Sequence, residues 1–158
     1  MLVRRIARPM LALGYVSSGW DAFRHPDAHV DRIEARWAEI ATRFDAVPVP
    51  DPKILPGLVR LHGAAMVLAG TALAFGRTPR LAGVALAGLS APLLALDQPW
   101  FPRVPRAHRA ERLDRTVRDA MMVGAGLLVA ADLEGRPGIG WRVARARADR
   151  AERAEAGD

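Results

Sequence analysis

The sequence predicts an all-α protein: an integral membrane four-helix bundle with an amphipathic surface helix between the first and second spans. Three observations carry that prediction. First, a whole-chain average of 51% apolar and 25% charged residues conceals a segregation, because four windows are nearly pure Ala, Leu, Val, Gly and Met. Second, the apolar windows lack a polar face. From Gly63 to Phe75 only Thr71 is polar, whereas a bundle helix in water needs a polar stripe. Third, glycine is dense inside the windows, at Gly63, Gly70, Gly83, Gly88, Gly124 and Gly126. That is costly in an aqueous helix and useful where membrane helices pack closely. A soluble four-helix bundle is the competing fold, since runs shorter than about 20 residues also occur in buried soluble helices.

The first window runs from Ile6 to Phe23, with Arg8 and Pro9 near its start. Proline is tolerated in a first helical turn. No small-residue cleavage site precedes Trp20, so this window is expected to be an uncleaved span rather than a signal peptide. Residues His25 to Asp45 follow, with Val30, Ile33, Trp37, Ile40 and Phe44 at helical spacing among charged residues. That pattern suits a helix lying on the membrane surface or capping the bundle. Val47 to Pro56 holds four prolines and reads as an extended connector. The second window runs from Leu58 to Phe75, the third from Leu81 to Leu96 with Ser90 and Pro92 inside it, and the fourth from Val117 to Leu133. Asp97 to Pro105 reads as an interfacial turn, and Trp20, Trp37, Trp100 and Trp141 flank the windows, where amphipathic rings favour an interface.

One domain over residues 1–145 is expected, with a charged tail at 146–158. The tail mixes Arg with Asp149, Glu152, Glu155 and Asp158, which argues for a solvated or headgroup-facing helix and against nucleic acid. Basic residues are nearly balanced on the two sides of a four-span chain. The acid-free segments with Arg4, Arg5, Arg8, Arg77 and Arg80 favour both termini in the cytoplasm.

The absence of cysteine excludes disulfides, thiol catalysis and thiolate metal sites. His25 and His29 stand four apart, but Pro26 disfavours helical geometry at His25 and no third ligand is evident, so no metal site is expected. His62 alone does not make a haem site. The glycines lie inside apolar helices rather than in a phosphate-cradling loop, and no Ser, His and Asp arrangement suggests a hydrolase.

In a four-span bundle the end of window one, the start of two, the end of three and the start of four meet at one membrane face. Those ends carry Asp21 and Arg24, Arg60 and His62, Asp97, and Arg118 and Asp119. Ionisable groups near hydrocarbon are expensive and tend to pair or mark a site. A charged cluster is therefore expected, with Arg60 and Arg118 paired to Asp21, Asp97 or Asp119. His62 would be a hydrogen-bond partner for a quinone or another small acceptor. The plainer account makes these interfacial anchors, with Asp119 complementing the dipole of its helix.

Several motifs carry a family resemblance. They are Arg8-Pro9-Met10-Leu11-Ala12, Ser18-Gly19-Trp20-Asp21-Ala22-Phe23-Arg24-His25-Pro26, Arg60-Leu61-His62-Gly63-Ala64, Val117-Arg118-Asp119-Ala120 leading to Gly124, and Asp132 to Pro137 followed by Trp141-Arg142. In order and spacing, from about Arg8 to Arg145, the chain resembles the DoxX family of small four-helix membrane proteins, in its actinobacterial form. His62 and Asp119 stand where the family has amides, and Gly124 keeps one glycine of a pair. The resemblance implies a multi-pass protein of a bacterial plasma membrane. It implies an accessory or anchoring subunit of a quinone-linked redox complex, more a non-catalytic subunit than an enzyme. The implied cofactor is quinone, and the implied partners are the lipid membrane and a soluble oxidoreductase or detoxifying enzyme. The alternative is a small transporter or lipid-binding bundle without redox activity.

Overall fold

A computed structural model describes residues 2–41, 51–76, 78–96, 106–132, 145–147 and 149–150. Among them the regular structure is helical, with no strand. The helices are α1 (Leu2–Arg24), α2 (Pro26–Ala41), α3 (Leu55–Phe75), α4 (Pro79–Leu96) and α5 (Arg106–Ala131). Asp97, the interfacial turn, Trp100, Trp141 and most of the tail lie outside the described residues, as do residues 47–50 of the proline-rich connector.

Each apolar window, as far as it is described, matches one helix, and the differences lie at the ends. α1 reaches back to Leu2, so Pro9 sits inside the helix rather than in its first turn. α5 starts at Arg106, a charged stretch before the apolar one, and Glu111 and Arg115 bond one another four residues apart. α2 opens on Pro26, whose missing N–H has no helical partner to lose. Ahead of α3, Asp51 accepts from the Lys53 and Ile54 amides, and Pro56 follows in the first turn. Gly76 ends α3 in the left-handed region, at φ 65°, with its N–H returned to the Leu73 carbonyl. Thr71, the polar residue of α3, is satisfied within the helix by donating to the Val67 carbonyl at 2.6 Å.

The helices assemble as two antiparallel pairs, α1 with α3 and α4 with α5, joined along α3 and α4. Glycine sets both pair contacts. A Cβ at Gly63 would stand 2.5 Å from the Gly19 carbonyl oxygen, and one at Gly83 would stand 2.7 Å from the Ala130 nitrogen. Backbones this close gain dispersion along their length, the mode by which helices pack where water gives no drive. Ala12, Tyr15, Met66, Leu73, Ala82 and Leu86 form the central core, and the Tyr15 hydroxyl donates to the Met122 carbonyl across the pairs. At the end where α1 begins, Arg8 reaches Asp132 at 3.7 Å.

Among the described residues two helices, α3 and α4, are long and apolar enough to cross a membrane. Only 28% of either apolar window is buried inside the structure. Leu61, Leu68, Phe75, Leu81 and Val84 are all exposed. Polar residues within the apolar stretch of α1, among them Arg8, Ser17, Ser18 and Asp21, and the charged first half of α5 keep those two helices below the same measure.

Candidate functional site

The two pairs separate at the end that holds the last turns of α1 and α4 and the first turns of α3. A cavity of about 940 Å³ opens there. Its walls are largely apolar, from Leu58, Leu61 and Met66 of α3 and Leu89, Leu93 and Leu96 of α4. Polar groups gather on the side facing α2 and α5: Asp21, His29, Arg32, His62, Arg115, Arg118 and Asp119.

α2 closes this side. It buries Pro26, and its Val30 and Ile33 pack on Ala22, Leu55 and Val59. That turn of phase brings His29 and Arg32 to the cavity. His25 Nδ1 and His29 Nε2 each bond a different oxygen of Asp21, both at 3.1 Å. Arg32 stands 3.6 Å from Asp119 Oδ2 on α5, and further along Arg112 of α5 donates to Glu39 at 3.2 Å. α2 is thus packed on α1 and α3 and tied to α5 by charge. Burial pulls the Arg32 guanidinium below its usual value, with Arg115 and Arg36 acting the same way and Asp119 opposing them. A guanidinium stays protonated regardless.

Two buried polar atoms at the site have no hydrogen-bond partner among the described residues, His62 Nε2 and Asp119 Oδ2. The Arg32 contact is an ion pair beyond hydrogen-bonding reach. Asp119 as a residue is 8% exposed. Leaving a buried donor or acceptor unmade costs about 1–3 kcal/mol, so such atoms in a cavity point to a ligand.

Of the residues expected to cluster, Asp21, His62, Arg118 and Asp119 line the cavity. Arg24 does not: its guanidinium lies over the Trp20 ring at 4.9 Å. Arg60 is exposed and outside the lining, two residues from His62 and so on the far side of the helix. Of the carboxylates expected to pair with Arg60 and Arg118, Asp97 lies outside the described residues, Asp21 bonds His25 and His29, and Asp119 has its ion pair with Arg32. The chain crosses back over the cavity as α2, and that helix reaches them first. Ser18, His29, Arg32 and Arg115 were not anticipated. The spacing Asp21, His25, His29 at four-residue steps was the available signal. Among the described residues no three His, Asp or Glu side chains are placed to hold a metal ion.

No family profile, curated protein or solved structure matches the chain.

Proposed function

We propose that this chain is a multi-pass membrane protein of DoxX type whose cavity receives a small lipophilic ring, and that it serves as the membrane subunit of a quinone-linked redox complex. The observation that carries the membrane reading is the exposure of α3 and α4. A soluble helix of that apolarity would be a core helix, yet only 28% of either window is buried and Leu61, Leu68, Phe75, Leu81 and Val84 stand exposed. Contiguous exposed apolar surface on this scale belongs against lipid or another protein. α1 and α5 complete the spans by packing their glycine faces on α3 and α4.

The residues at the cavity fit a quinone. Leu58, Leu61, Met66, Leu89 and Leu93 would hold the ring and side chain, and His62 Nε2 offers a hydrogen bond to a carbonyl oxygen. A bound quinone supplies a carrier for two electrons and two protons within the membrane. The exposed charges of α2 and of the first half of α5, among them Asp31, Glu34, Arg109 and Asp114, give a soluble partner a polar surface beside the cavity.

Co-purification from native membranes in mild detergent tests the reading, with proteins identified and the organic extract examined for quinone. A soluble oxidoreductase in fixed ratio, or bound quinone, is the expected result. Recovery of the chain alone with other lipid would favour a transporter or lipid-binding bundle. Recovery in the soluble fraction would end the membrane reading.

A further inference from the structure

The polar side of the cavity carries charges of both signs, and this restricts the head group it accepts. A ligand with an ammonium head would face Arg32, Arg115 and Arg118, while a carboxylate head would face Asp21 and Asp119. Either head would meet like and opposite charge together and gain little net attraction for the hydration it gives up. A neutral head has less hydration to lose.

The buried unpartnered atoms narrow the choice further. Asp119 is paired with Arg32, so its carboxylate only accepts hydrogen bonds. Its Oδ2 is buried with no donor among the described residues. A carbonyl oxygen brought to that atom would set acceptor against acceptor. A hydroxyl would donate to it. His62 Nε2 can serve a hydroxyl in either tautomer, since a hydroxyl both donates and accepts.

We infer that the cavity selects a neutral lipophile bearing a hydroxyl that donates to Asp119. If the ligand is a redox ring, the cavity then holds the reduced, dihydroxy form in preference to the oxidised one. This rests on the reading of the cavity as a site for a lipophilic ring. It adds which oxidation state the protein retains.

The test is equilibrium binding to the full chain in detergent, under argon. Three matched probes are used: an alkyl hydroquinone, the corresponding quinone, and the hydroquinone dimethyl ether, which keeps the ring and lacks both donors. The hydroquinone is expected to bind about ten-fold more tightly than the other two, the scale of one buried acceptor satisfied or left bare. In Asp119→Asn the amide can donate to a carbonyl, so most of that gap should close. The wild-type comparison needs no variant and stands if Asp119→Asn does not fold. Equal binding of all three probes overturns the hydroxyl preference and leaves the ring site standing. Binding of none of them overturns both.

Discussion

Inside each helix pair, Gly19 on Gly63 and Gly83 on Gly126 bring two backbones so near that no Cβ fits between them. Between the pairs the same four helices stand apart at one end, and the space is taken by a cavity and by α2 with its ion pairs. The first kind of contact is dry, apolar and fixed by shape. The second depends on groups that can exchange partners with solvent or with a ligand. The difference teaches where rigidity and function are divided in this molecule. Glycine holds each pair as a unit, and the seam between units is free to be a site.

The largest break in that contrast is expected at Gly63. Leucine there must drive α1 from α3, and a loss of about 3 kcal/mol or more is expected, as failed assembly or early unfolding in detergent melts. Next is Arg32→Ala, which leaves the Asp119 carboxylate without its counter-ion. About 2 kcal/mol should be lost, with faster amide exchange along α2 and little change in the cores of the pairs. Tyr15→Phe removes a bond between pairs rather than within one, and should cost about 1 kcal/mol in the same melts. Glu39→Gln removes a half-exposed carboxylate but keeps an oxygen that can accept from the buried Arg112, and should cost about 1 kcal/mol, an effect that shrinks in high salt. Smallest is Gly88→Ala. Nothing stands within 4 Å of a Cβ there, so the melt should be unchanged or slightly raised. A large loss at Gly88 would mean that glycine content, rather than the pair contact, sets stability.

The helices were legible because hydrophobic runs and glycine and proline punctuation are local. The windows at 58–75 and 81–96 fall within α3 and α4, with starts two or three residues early at Leu55 and Pro79. The upstream extension of α5 was not legible, since its charged first half reads as loop until Glu111 and Arg115 are seen to pair. The site was half legible. Alternation of helix direction brings Asp21, His62, Arg118 and Asp119 together. Which cation meets which carboxylate depends on where α2 lies, and its pattern allowed either a place flat on a membrane or a cap on the bundle. Val30 and Ile33 settling on Leu55 and Val59 is a tertiary contact, and it decides that Arg32 rather than Arg60 faces Asp119.

The pairing of α1 with α3 passes over α2. During synthesis, α1 leaves the ribosome with its glycine face bare, and α2 and the connector must follow before Leu55 appears. At about 5–20 residues per second, that is an interval of seconds. α4 and α5 have a shorter wait, with nine residues between them. The first helix is thus the one that must be sheltered while its partner is made, and α2, whose charged face favours water, delays that partner each time the chain is built.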